Sequence, residues 1–499
     1  MPDHSKRVSG VLLPIASLRT DYGLGDLGGE AKRFARLLAG AGQSLWQILP
    51  LTIPDQVHSP YASPSAFAGN IMYIDPEGLA GMGLADEYDL RRIRRESGES
   101  IDYAFAARAK EDLLRSAFRR FEPGEDYEKF VKREKYWLSD FALFDALKER
   151  FGGRPYWEWD EKLRLHEPSA VKRISAELKS EIDFRIFCQY IFDFQLRGLR
   201  EYLSGLGITL VGDIPFYVAN DSADVWAHPG FFNLDKRRMP KSVAGVPPDY
   251  FSPTGQLWGN PVYDWDALGK SDYDWWIKRL GRCERLYDIT RLDHFRAFDT
   301  YYAVRAGAKD ASVGRWRRGP GIQFFERVRG KLPGLRLIAE DLGDVGESVD
   351  KLRRKAGIPG MRVLQFAFDG SDSSFLPHNY ERRTVAYLGT HDNDTTAGWW
   401  ASLDDDTRRR AADYLGIPAD ADAGLAVGRM IALLSGSAAD MVIFTLQDIL
   451  GQGSGARINT PSKISGCWEY LAPPLGEGDF ARLGELTRIF HRNNKENII

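Results

Sequence analysis

Asp213, Asp293, Glu340 and Asp392 each stand where an apolar run of this sequence gives way to polar residues. Two carboxyls of unequal acidity can break a glycosidic bond with retention, one attacking the anomeric carbon while the other, still protonated, donates to the departing oxygen. In Arg291-Leu292-Asp293-His294-Phe295-Arg296, residues 291 and 293 lie two apart in an extended segment and project to one side. The guanidinium of Arg291 then favours an ionised Asp293, which suits a nucleophile. Glu340 follows the apolar run Leu335 to Ala339, so its carboxyl is expected at the rim of an apolar core. Desolvation there raises its pKa and suits a general acid. Asp392, within Gly389-Thr390-His391-Asp392-Asn393-Asp394, can bind ring hydroxyls of a sugar, with His391 adding a hydrogen bond. A single carboxylate at a strand end is more often a helix cap or an ion-pair partner. Several on successive strands are harder to explain that way.

Such groups need a frame. Eight apolar segments bounded by turn residues read as buried parallel strands: Gly10 to Ser17, Ser44 to Leu51, Ile208 to Phe216, Asp288 to Phe298, Leu335 to Leu342, Met361 to Phe368, Thr384 to Gly389 and Asp440 to Leu446. Helix-like stretches such as Ile322 to Lys331 and Glu347 to Ala356 alternate with the later ones. The expectation is one catalytic domain over 1–499, an α/β fold built as an eight-stranded parallel β/α barrel of the TIM type. Its reacting groups belong on loops at the carboxyl ends of the strands. About 150 residues separate the second strand from the third, too many for a simple connection. Region 76–207 therefore reads as a mainly helical insertion, in which Trp137, Phe141, Phe144, Leu147 and Phe151, and Phe184, Phe187, Ile191 and Phe194, follow helical spacing. Their aromatic rings are expected in the core. Region 219–287, rich in Pro, Gly, Asp and aromatics, reads as a loop-rich insertion overhanging the site.

The bulk numbers narrow the substrate. Lys plus Arg total 67 against 70 acidic residues, a net charge of -3, so no global field draws the chain to nucleic acid or an anionic membrane. A neutral substrate fits best. Three scattered cysteines, Cys188, Cys283 and Cys467, argue against a disulfide framework and point to a reducing cytoplasm. The short apolar run from Val11 to Ile15, broken at Pro14, does not read as a signal peptide. No stretch approaches the roughly 18 apolar residues of a spanning helix. Gly23-Leu24-Gly25 and Gly451-Gln452-Gly453 lack the flanking strand, helix and lysine of a phosphate loop, so no nucleotide sugar, cofactor or metal is expected.

Taken in order, Ser59-Pro60-Tyr61, Ser65 to Asn70, Gly212-Asp213-Ile214-Pro215, Arg291 to Arg296, Ala339-Glu340-Asp341-Leu342-Gly343 and Gly389 to Thr395 resemble the motifs of the amylomaltases, also called 4-α-glucanotransferases or disproportionating enzymes, relatives of the α-amylases. The resemblance covers nearly the whole chain. It implies transfer of α-1,4-glucan segments between maltooligosaccharides, with Asp293 as nucleophile, Glu340 as acid/base and Asp392 as the third carboxylate. It also implies a substrate lid at 247–259, containing Tyr250, Phe251, Gln256 and Trp258, whose aromatics can stack on glucose rings. Tyr61, Asp213, Arg291, His294 and His391 are further sugar-binding positions on this likeness. The chain departs from the family pattern at Ala297, Ser462-Lys463 and Cys467. The last reads as a small buried residue.

An α-amylase-type hydrolase uses the same carboxylates, and only the acceptor differs. The aromatic lid favours transfer, because it can hold an acceptor glucan and exclude water. A metal-dependent sugar isomerase would need a cation where Arg291 already sits. A glucan-binding protein without catalysis would have no reason to keep all three carboxylates. Chain-length preference, cyclic products and oligomeric state are not written in the sequence.

Overall fold

The structure is a computed structural model and describes residues 7–248, 252–343, 345–461, 463 and 465–493. Eight parallel strands close into a barrel: β1 (Val8–Leu12), β2 (Leu45–Gln47), β3 (Thr209–Ile214), β4 (Ile289–Leu292), β5 (Leu337–Ala339), β6 (Gly360–Val363), β7 (Thr384–Tyr387) and β8 (Met441–Thr445). Each pairs with its sequence neighbours, and β8 returns to β1. All eight fall inside or within two residues of the segments expected. The expected segments overrun at their carboxyl ends, where Ile15–Ser17, Phe295–Phe298 and Leu364–Phe366 coil into 3-10 turns. Apolar sequence continues past the last ladder bond there because Ile15, Phe295, Phe298 and Leu364 pack into the layer outside the barrel.

The alternation of each strand sorts its residues between two cores. Val211, Ile289, Ile338, Val385 and Ile443 point into the barrel and form one cluster, whereas Leu210, Leu292, Ala339 and Ala386 join the larger cluster beneath the helices. Gly212 marks one outward position where nothing larger fits: a Cβ would stand 2.1 Å from the Tyr287 ring. Following the same alternation upward, Val211 is succeeded by Asp213, Ile289 by Arg291 and then Asp293, and Ile338 by Glu340. The barrel axis therefore passes from apolar to ionised groups at its carboxyl end.

Between β2 and β3 lie helices that include Tyr103–Arg120, Glu125–Arg150, Pro168–Glu177 and Lys179–Gly205. Trp137, Phe141, Phe144, Leu147, Phe184, Phe187 and Ile191 are buried as their spacing required. Phe194 is 36% exposed, and Phe151 stands just past the end of its helix. Segment 219–287 contains more regular structure than its composition indicates. It carries helices Trp265–Lys270 and Asp274–Leu286, and strands Ser242–Val246 and Gln256–Pro261. These strands join Thr300–Arg305 and Gly314–Arg318 in an antiparallel sheet ordered 256–261, 242–246, 300–305, 314–318. Its outer pairs are local hairpins, whereas the central pair, 242–246 with 300–305, joins residues on either side of β4. Among the described residues no helix is long and apolar enough to cross a membrane. The three cysteines are free and buried.

Candidate active site

Register builds the centre of the site. Asp213 and Arg291 are direct neighbours across β3 and β4, and Leu292 faces Ala339 across β4 and β5. The next residues, Asp293 and Glu340, therefore leave adjacent strands at one level. Their backbones stay tied, with Glu340 N–H donating to Leu292 O and Asp293 N–H to Ile214 O, both at 3.0 Å. Arg291 donates to Asp213 at 2.7 Å and to Asp293 at 3.0 Å, so one guanidinium serves two carboxylates. Asp213 is fully buried, and Arg291 nearly so. Burial pushes the Asp213 carboxyl up, and the adjacent guanidinium opposes that shift. The Asp293 side chain remains 30% exposed and faces the cleft.

Glu340 meets a different environment. Its Oε2 accepts from His294 N–H at 2.8 Å and its Oε1 from Leu342 N–H at 2.9 Å. Dense protein surrounds it, and desolvation pushes its pKa up to about 7; Arg291 acts against that rise and Asp293 adds to it. His294 delivers its N–H by adopting a left-handed backbone, φ 50° and ψ 48°, a conformation a non-glycine residue takes only at some cost. Burial lowers the His294 imidazole to about 4, so it is neutral at pH 7. Its ring meets Trp258 edge-on at 4.9 Å. Asp341, next to Glu340, turns away and accepts from Met361 N–H at 2.7 Å beside Arg353. It serves packing.

On the far side, Tyr61 hydroxyl donates to Asp213 at 2.7 Å and lies 2.9 Å from His391 Nε2. That nitrogen is 3.3 Å from Asp392, completing a polar chain from Asp293 through Arg291, Asp213, Tyr61 and His391 to Asp392. Asn459 fixes Asp392, donating from Nδ2 to Oδ1 at 2.6 Å, while Arg457 donates to the Asp392 carbonyl at 3.3 Å. Trp468 lies near both Tyr61 and His391, with ring centroids 5.8 and 6.1 Å away.

These groups border a cleft of about 650 Å³ whose wall includes Tyr61, Gln256, Trp258, Asp293, His294 and Asp392. Asp213, Arg291 and His391, expected at the sugar, are buried next to the cleft wall and bonded to Tyr61 and Asp293. The alternation that puts Arg291 on the same side as Asp293 also sets it one layer deeper. Tyr250 and Phe251 lie outside the described residues. Asn459, Trp468 and Tyr217 line the cleft without having been singled out. Asn459 is tied to Asp392, 67 residues earlier in the chain, so no local spacing marks it. Cys467 is buried as expected, its sulfur accepting from Thr460 N–H at 3.4 Å. Among the described residues no group of three His, Cys, Asp or Glu side chains is arranged to hold a metal ion.

The fold and sequence have close counterparts. A 4-alpha-glucanotransferase of Aquifex aeolicus is 43% identical over 466 residues, 93% of this chain and 95% of that one. One from Thermus thermophilus is 41% identical over 484 residues, covering 94% of this chain and 95% of the relative. The amylomaltase of Streptococcus agalactiae, solved in complex with acarbose, superposes with a TM-score of 0.93 at 37% identity, covering 98% of this chain and 100% of that one. The amylomaltase of Corynebacterium glutamicum, at 19% identity and a TM-score of 0.79, shares the fold. Residues 13–474 match the model of the 4-alpha-glucanotransferases, and with these relatives the match shows that the chain belongs to the 4-alpha-glucanotransferase family.

Proposed function

We propose that Asp293 is the nucleophile, Glu340 the acid/base and Asp392 the stabilising third carboxylate of this 4-α-glucanotransferase. Glu340, protonated at the start, gives its proton to the departing glucan oxygen as Asp293 attacks the anomeric carbon and forms a glucosyl ester. The carboxylate left on Glu340 then takes the proton of an incoming sugar hydroxyl, which displaces Asp293 with a second inversion. Arg291 orients Asp293 for attack through its 3.0 Å hydrogen bond. Asp392, held from behind by Asn459, is placed to bond ring hydroxyls more strongly as the sugar flattens.

The observation that carries this reading is the contrast between neighbours: a carboxyl pushed up to about 7, one strand from a carboxylate bonded to a buried guanidinium. Family membership favours transfer over the hydrolysis that the same carboxylates allow. Donor and acceptor are α-1,4-glucans, taken without cofactor or metal. Trp258 and Tyr217 at the wall, together with lid 247–259, would hold the acceptor and exclude water. Regions 76–207 and 219–287 serve as insertions flanking one barrel. Free, buried cysteines agree with a cytoplasmic setting. A slowly turned-over fluorinated α-glucosyl donor should leave a glucosyl mass on the peptide containing Asp293. A label on any other carboxylate would refute the assignment.

A further inference from the structure

Away from the cleft, the antiparallel sheet ends in Gly314–Arg318, a Gly-Arg-Trp-Arg-Arg strand paired with Thr300–Arg305 on one side only. Arg315, Trp316, Arg317 and Arg318 are all exposed. Among the described residues, none of these three arginines has a carboxylate partner within salt-bridge distance. Over 296–318 there are six basic side chains and two acidic ones, in a chain whose net charge is -3. Both acids are engaged: Asp299 accepts from the Ser348 hydroxyl at 2.8 Å, and Asp310 from Ser312 N–H at 2.9 Å. Trp316 is 43% exposed, with the Arg296 guanidinium 4.0 Å from its ring centroid.

A charged edge strand has an ordinary use, since like charges stop two edges from pairing. Lysine or glutamate would serve that use equally, and it does not call for a tryptophan left 43% exposed beside Arg296 and Tyr302. We propose that this edge is a secondary binding surface for phosphate-bearing α-glucan, with arginine forks on the phosphates and Trp316 against a sugar face. The planar guanidinium matches phosphate geometry with two parallel hydrogen bonds. Nucleic acid is the poorer fit, because a polymer charged at every nucleotide would meet the whole net-negative chain. Sparse phosphates meet only the local patch. The sheet is continuous from this edge to the cleft-lining strand Gln256–Pro261, so a polymer tethered here stays near the site. The choice of a glucan rests on the transferase reading.

The test is retention of the whole protein, at about 50 mM salt, on an α-glucan carrying glucose 6-phosphate groups and on the same glucan after phosphatase treatment. Wild-type protein should be retained at least about fivefold more strongly on the phosphorylated form. The triple variant Arg315→Glu, Arg317→Glu, Arg318→Glu should fall to the dephosphorylated level while keeping its rate on maltotriose. The protective reading expects no loss from that exchange of sign. Equal retention of wild type on both glucans, or undiminished retention of the variant, overturns the proposal. Tighter binding to polyuridylate at matched phosphate concentration overturns it in favour of nucleic acid. Maltotriose turnover, followed in parallel, reports separately on the transferase reading.

Discussion

Two sides of the same rim hold carboxylates by different means. At β4 and β5, Asp293 and Glu340 are fixed by strand register, and neighbouring backbone N–H groups hold Glu340 directly. Across the cleft, Asp392 sits in the loop after β7 and is held by Asn459 and Arg457, side chains of a separate loop. A strand-held group inherits its precision from the barrel ladder, and its protonation from burial. A loop-held group depends on a few side-chain hydrogen bonds, each of which one substitution can remove. On the proposed roles, the reacting pair therefore belongs to the strand-held side.

That contrast can be broken most severely at Asp293. Asp293→Asn should lower transfer by about 10⁴-fold or more, with circular dichroism and the melting temperature little changed. A variant that retains more than about a tenth of wild-type transfer would remove Asp293 from the chemistry.

The next effect is at Glu340. Because donation requires its proton, kcat/KM should be full below about pH 7 and fall about tenfold per unit above it. Glu340→Gln should cost about 10² to 10⁴-fold and erase that basic limb. A limb that survives the substitution belongs to another group.

The smallest effect is expected on the loop side. Asn459→Ala removes one hydrogen bond to a charged group, worth about 1.5–3 kcal/mol, so kcat should fall by roughly 10- to 100-fold. The basic limb near pH 7 should stay where it is, because Glu340 does not share that support. A shifted limb would show that the two sides are electrostatically one unit.

Legibility divides along the same line. Asp293 and Glu340 could be read because alternation and the end of an apolar run are local properties of a strand. Arg291 was legible as a partner of Asp293 two residues away, but its second bond, to Asp213, spans 78 residues. Asn459 was passed over for the same reason. The four-stranded sheet went unread because its central pairing, of 242–246 with 300–305, joins segments on either side of β4.

By itself, then, the sequence determined the barrel and the acids that stand at the ends of its strands, since period-two burial and apolar runs ending in acids depend on neighbours along the chain. Tertiary structure alone decided which polar residues line the cleft and which are buried behind its wall. Spacing along β4 sets Arg291 one layer below Asp293, but which layer is shut inside the barrel and which opens to the cleft is not encoded in one strand. It is set by eight strands closing around a shared interior.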